Sequence, residues 1–209
     1  MATFIYLNGP ADSGKDVLAN LLVENYSNVQ HLKFSKPLRD AVVDIFGITE
    51  ADFEKYKDHP NAVGRLSTGA IPEAEIGVTQ SYRDFVIALS EKVLKPNFGH
   101  GYLGTILASD VVANQIHMPL NVVYVISDLG FNEELHEFLK PFKDHTHMIM
   151  QTSREGCSFN DDSRSYIFDS PNTIPMLHND GTKEELLAKA EGLIYECIPD
   201  IQLRRAHKQ

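Results

Sequence analysis

A chain of 209 residues with 43% hydrophobic content is long enough to bury one sizeable core. Its formal net charge of −10 and isoelectric point near 5.3 argue against general binding to DNA, RNA or an anionic membrane, which repel an acidic chain. Any anion must therefore be captured by a local basic pocket. Cys157 and Cys197 lack metal-ligand spacing and form no disulfide framework, which points to a reducing compartment. No apolar run approaches the length of a membrane span, and Met1-Ala2-Thr3-Phe4 has no basic leader. The expectation is a soluble, cytoplasmic protein.

Phe4 to Asn8 is an apolar, strand-like run. The chain then turns at Gly9-Pro10 and continues into Val17 to Leu22 with helical spacing, Leu18, Leu21 and Leu22 sharing a face. The turn itself, Gly9-Pro10-Ala11-Asp12-Ser13-Gly14-Lys15-Asp16, fits the phosphate-loop pattern G-x-x-x-x-G-K-[ST] at every position but the last. Glycines admit the backbone close to a polyphosphate, and the following helix aims its N–H groups at the anion. Gly9, Ala11, Asp12, Ser13, Gly14, Lys15 and Asp16 are therefore the expected nucleotide-binding residues. Asp16 replaces the hydroxyl that would touch Mg²⁺. A carboxylate is also a magnesium ligand; the alternative is an ordinary first-turn acid favoured by the helix dipole.

Val29 to Phe34 reads as a second strand, followed by a helix that Ser35 begins and Gly47 ends. Lys36 and Arg39 lie in its first turn, where the dipole disfavours cations; this favours anion binding over two solvated surface charges. Residues 49–80 are polar and interrupted by proline and glycine, with one short helix from Thr49 to Lys57 and a long loop that carries Arg65. Thr79 to Val93 is a strong helical pattern with Thr79 as cap, Phe85, Val86, Leu89 and Val93 as core stripe, and Arg83 off the stripe. A further helix spans Tyr102 to about His117.

Leu120 to Asp128 is a β-branched run of the kind buried on both faces in parallel sheets. Its terminal Asp128 is placed for the ligand edge of the sheet, as a second Mg²⁺-organising carboxylate, as a cap for a helix over 132–140, or as both. His147 to Thr152 is another strand, and His145 and His147 read as solvated loop histidines. The polar segment 152–166, with Arg154 and Arg164, reads as a lid over a nucleotide, the alternative being a plain surface loop. Thr173 to Asn179 is a last strand. Thr182 and Glu185 form a capping box for a helix from Lys183 to about Cys197, and the basic tail from Leu203 is expected to fray.

In order, these segments resemble the tailed-phage deoxynucleoside monophosphate kinases. The Gly-Lys-Asp loop resembles theirs, as do Phe34-Ser35-Lys36-Pro37-Leu38-Arg39, Thr79-Gln80-Ser81-Tyr82-Arg83-Asp84-Phe85, Ser127-Asp128-Leu129-Gly130-Phe131-Asn132-Glu133-Glu134 and Asn179-Asp180-Gly181-Thr182-Lys183-Glu184-Glu185-Leu186. The resemblance departs at Gly130, which stands where that family's Asp-Val-Arg-Phe-Pro-Asn-Glu motif has its nucleotide-binding arginine; Arg154 or Arg164 is then the candidate to supply the charge. The resemblance implies an α/β P-loop NTPase fold, a parallel sheet flanked by helices. It implies one kinase domain over 1–209 with a monophosphate-binding region at about 34–100 and a mobile lid at about 152–166. It implies phosphoryl transfer from ATP to a deoxynucleoside monophosphate, with a homodimer and, for a phage protein, the host cytoplasm as location. Lys15, Asp16, Arg83, Arg154 and Arg164 would be catalytic, Asp16 and Asp128 would hold Mg²⁺, and Lys36, Arg39, Arg83 and Asp128 would bind substrate. Two other readings stay open: a nucleotide-binding protein without kinase activity, and a kinase of another metabolite such as dephospho-coenzyme A.

Overall fold

Side chains alternate along the first strand. Phe4, Tyr6 and Asn8 point to one face and Ile5 and Leu7 to the other, and all five are buried, so both faces of the sheet are covered. A computed structural model describes residues 1–60, 62, 81–114, 121–160, 162–168 and 174–206. Its elements in chain order are β1 (Thr3–Asn8), α1 (Lys15–Asn25), β2 (Val29–Leu32), α2 (Lys36–Phe46), α3 (Glu50–Tyr56), α4 (Tyr82–Ala88), a π-helical turn (Leu89–Leu94) and α5 (Lys95–Phe98). There follow α6 (Tyr102–Asn114), β3 (Val123–Leu129), α7 (Asn132–Leu139), β4 (Thr146–Ser153), β5 (Met176–His178) and α8 (Lys183–Cys197). The chain divides into two compact units, Met1–Phe34 with Gly104–Gln209, and Ser35–Leu103. The sequence reading treats 1–209 as one domain with residues 34–100 set apart within it.

The first unit is a five-stranded, all-parallel sheet in the order β2-β3-β1-β4-β5, flanked by helices, the α/β architecture expected. Ile5, Leu7, Val125 and Met150 pack with Leu18 and Leu22 of α1 and Leu186, Ala190 and Ile194 of α8. Each of these Val, Leu, Ile and Met side chains, fully buried, contributes about 1.5–3 kcal/mol. The opposite face is aromatic. Phe4 stacks on Tyr124 at 5.1 Å and meets Phe138 and Phe142 at 5.3 and 4.9 Å.

His147 belongs to this second layer, not to a solvated loop. Its ring lies parallel to Phe4 at 5.3 Å, its Nδ1 is 3.0 Å from the Tyr6 hydroxyl and its Nε2 is 2.7 Å from the Phe142 carbonyl. The carbonyl requires a donor at Nε2, so the ring is the neutral Nε2–H tautomer and Tyr6 donates to Nδ1. His145 accepts from the Ala2 amide at 3.0 Å. Both were missed because Ala2 and Tyr6, which fix them, are over 100 residues away in sequence.

The tail is tied as far as it is described. Asn28 donates to the carbonyls of Asn121 and Gln202 at 2.7 Å and accepts from the Arg204 amide at 2.9 Å. Arg205 lies 4.6 Å over the Tyr26 ring and pairs with Glu191 at 3.1 Å. Its charge therefore anchors the tail where composition alone suggests fraying.

The second unit is helical. Val42, Phe53, Ala62 and Tyr82 form its core, with Phe46, Phe85 and Val86 packed on them. Gly47 ends α2 in the left-handed conformation (φ 59°), as the sequence predicts, and the short helix expected from Thr49 is α3, with Thr49 as its cap. Ser81, not Thr79, caps α4, in a capping box with Asp84; Thr79 and Arg65 lie outside the described residues. The stripe expected to continue to Val93 does not. The π turn inserts extra residues per turn, so Ser90 and Lys95 become buried while Val93 is 46% exposed. Among the described residues no helix is long and apolar enough to cross a membrane.

Candidate phosphate-binding site

Residues 9–14 join the carboxyl end of β1 to the start of α1, and the helix makes its first backbone bond from Leu18 N–H to the Gly14 carbonyl at 2.9 Å. The N–H groups of the first turn have no intrahelical partner and face outward from the helix end. Two glycines are required here by space. A Cβ at Gly9 would lie 2.3 Å from Thr152 Oγ1, and Gly14 has φ 98° with Asn179 Nδ2 2.3 Å from where its Cβ would be. The loop is braced from outside. Ser13 Oγ is 2.8 Å from Thr152 Oγ1, Asn179 donates to the Ser13 carbonyl at 3.0 Å, and Arg154 reaches the Asp12 carbonyl at 3.4 Å.

Lys15 crosses the loop. Its ammonium donates to the Gly9 carbonyl at 2.7 Å and the Pro10 carbonyl at 2.6 Å, with Ser13 Oγ at 3.4 Å. Carbonyls bind a cation without neutralising it, so the full charge remains at the loop. Burial, and then the nearby Arg164, lower the pKa of Lys15 to about 8, against the pull of Asp16, Asp128 and Asp162.

Arg164 comes from the segment after β4. That segment is fastened to the sheet edge by Asn8, which is fully buried, donates to the Leu129 and Ser165 carbonyls and accepts from the Ile167 amide. Gln151 donates to the Ile167 carbonyl at 2.9 Å. The stem of Arg164 passes over Gly130, where a Cβ would come within 2.5 Å of Arg164 Cδ. A side chain at position 130 would have to displace that stem. Asp162 holds the Arg164 guanidinium with contacts of 2.6–3.0 Å, and those bonds keep the Asp162 carboxyl below the usual range.

Asp16 lies in the first turn of α1. Its Oδ1 accepts from Ser127 at 2.5 Å and its Oδ2 is 2.9 Å from Lys33 Nζ. Burial pushes its carboxyl up, but the bonds from Ser127 and Lys33 prevail and hold it below the ordinary value. Asp128, one residue along β3, accepts from the Phe34 amide at 2.8 Å; it does not cap α7, whose N-cap is Phe131. The sequence reading named Asp16 and Asp128 but missed Lys33, Ser127, Asp162 and Asn179. Most of these stand at carboxyl ends of strands, the edge where open α/β sheets bind ligands, and that position was the available signal. A cleft of about 460 Å³ opens beside the loop, lined by Asp12, Gly14, Arg154, Asn179, Lys183 and Leu186. It falls in the range of small-ligand pockets.

The remaining expected cations belong to the second unit and have carboxylate partners there. Lys36 pairs with Asp40 at 2.5 Å, Arg39 with Glu54, and Arg83 with Asp58; Arg39 also lies 5.0 Å over the Phe53 ring.

No family model matches the chain, and no curated protein matches it. Among solved structures, the chain is similar to a sugar kinase from Janibacter sp. HTCC2649 in an unliganded structure, at 10% identity and a TM-score of 0.44 over 98% of this chain and 100% of that one. It is similar at the same identity to the tunicamycin resistance protein of Deinococcus radiodurans, with a TM-score of 0.42 over 98% of this chain and 99% of that one. Likeness at this level carries no argument about activity, which must rest on the site.

Proposed function

We propose that this protein transfers the terminal phosphoryl group of ATP to a deoxynucleoside monophosphate. The observation that supports it most is the lysine-bridged loop between β1 and α1, at the carboxyl edge of a parallel sheet. An acceptor phosphate oxygen would attack the γ-phosphorus, the bond to the β–γ bridging oxygen would break, and ADP would leave. Such a reaction needs positioning and charge neutralisation more than covalent help. The loop amides and Lys15 would hold the donor phosphates, and Arg164 and Arg154 would meet charge on the transferring group. Lys36, Arg39 and Arg83 are proposed for the acceptor phosphate on the order of their sequence segments.

Asp16 and Asp128 would hold Mg²⁺. Among the described residues there is no group of three or more His, Cys, Asp or Glu side chains able to hold a metal. Two carboxylates fit magnesium that arrives on a nucleotide, which takes one or two protein carboxylates and completes its shell with phosphate and water. Bound there, it would neutralise charge on the β- and γ-phosphates.

A second reading, a nucleotide-binding protein without transfer, is favoured by one observation: Asp16 is already paired with Lys33. An ADP-release assay with a panel of deoxynucleoside monophosphates and dephospho-coenzyme A separates the readings. Release that depends on a deoxynucleoside monophosphate supports the proposal. Release only with dephospho-coenzyme A redirects it, and ATP binding without release under any acceptor supports the second reading.

A further inference from the structure

Asp16 attracts more partners than a first-turn acid needs. Lys33, just beyond β2, places Nζ 2.9 Å from Oδ2. Ser127 on β3 donates to Oδ1 at 2.5 Å, and His31 on β2 has Nε2 2.7 Å from Ser127 Oγ and 3.8 Å from Asp16 Oδ1. Ser127 donates its single hydroxyl proton to Asp16 Oδ1, so His31 donates to Ser127 through Nε2. Oδ1 is therefore fixed by a relay anchored in two strands. Oδ2 is held by one flexible ammonium whose side chain is 21% exposed. An ion pair this accessible adds little to stability, so the arrangement calls for another explanation.

We propose that Lys33 is a place-holding cation: its ammonium occupies the metal-facing oxygen of Asp16 in the nucleotide-free protein and yields it when a nucleotide delivers its divalent cation. The proposal rests on the phosphoryl-transfer reading above. Its logic is charge. A bare divalent ion approaching Asp16 meets Lys33, with Lys15 near the same carboxylate, and is repelled. A metal–triphosphate complex is a net anion, and the same cations attract it. The ammonium can then swing from the carboxylate to solvent or to a phosphate oxygen, while Ser127 and His31 keep the carboxylate in place. Lys33 is thus a positioning residue that makes the site select the metal–nucleotide complex over free metal.

The test is binding of Mn²⁺ to the full, nucleotide-free chain, followed by the electron paramagnetic resonance signal of the free ion. Lys33→Met should tighten Mn²⁺ binding by about two- to fivefold, the scale of one accessible ion pair. Lys33→Arg, which keeps the charge, should leave it at the wild-type value. Asp16→Asn added to Lys33→Met should abolish the gain. An unchanged affinity in Lys33→Met, or a gain that survives Asp16→Asn, overturns the proposal. Thermal melts of each variant confirm folding. ATP binding to the wild-type chain in buffer containing Mg²⁺ is measured alongside. If ATP fails to bind, the phosphoryl-transfer reading fails; if it binds while Lys33→Met changes nothing, only the place-holder fails.

Discussion

Lys15 and Arg83 both stand in the first turn of a helix, and they are held by opposite chemistry. Lys15 opens α1 in the first unit, is 8% exposed, and donates to backbone carbonyls of its own loop. Arg83 follows the first residue of α4 in the second unit, is half exposed, and pairs with the Asp58 carboxylate. The carbonyls orient the lysine and leave its charge whole, so an arriving anion meets a cation already in place. The carboxylate cancels the arginine, so an anion there must compete with Asp58. The first arrangement presents an oriented, unneutralised cation; the second presents a paired one.

The most severe way to break this contrast is Lys15→Ala. An oriented, water-excluded charge is lost from the transition state, and turnover should fall by at least about 10²-fold. Near-normal turnover in a steady-state assay would remove Lys15 from the mechanism and with it the phosphate-loop reading.

The same residue offers a graded test. Its pKa is lowered to about 8, so the ammonium is charged below that pH and neutral above it. ATP affinity should therefore hold steady up to about pH 8 and decline beyond it, by at most about tenfold per pH unit. Lys15→Ala should flatten that profile between pH 7 and 9.5. A wild-type profile as flat as the variant's would mean that the charge of Lys15 does not contribute to binding.

In the second unit the effects should be smaller and should fall on the acceptor. Arg83→Ala should raise KM for the monophosphate by about tenfold with turnover little changed, the pattern of lost uniform binding. Asp58→Asn should do the reverse, lowering that KM by removing the competing carboxylate. If both variants shift ATP affinity and spare the monophosphate, Arg83 does not bind the acceptor.

What could be read in advance follows the same division. The loop from Gly9 to Asp16, the Gly47 stop and the Thr182–Glu185 capping box are short-range patterns whose partners lie within a few residues, and sequence displays them directly. Lys33 and Ser127 carry no such pattern. Ser127 meets Asp16 across 111 positions, a proximity that only the parallel strand order creates. The π turn at Leu89–Leu94 was hidden for another reason: its residues favour a plain helix, and the phase shift that buries Lys95 in place of Val93 appears only once the turn is wound.

The aromatic layer gives the mildest prediction. Burial holds the His147 pKa below its ordinary 6.5, and the second cause, its bond to the Phe142 carbonyl, acts in the opposite direction without restoring it. In the unfolded chain the imidazole gains its proton as pH falls through about 6.5, whereas the folded state resists protonation because Nδ1 already accepts from Tyr6. The unfolded state thus binds more protons over this window, and stability must fall as pH drops below about 6.5. Above it both states are neutral and the contribution is constant. Urea denaturation at pH 7.5 and 5.5 should show a lower midpoint at the acid pH, and His147→Gln, which cannot titrate, should show a smaller drop. Equal drops in the two proteins would mean that His147 is not the source of the acid sensitivity over this window.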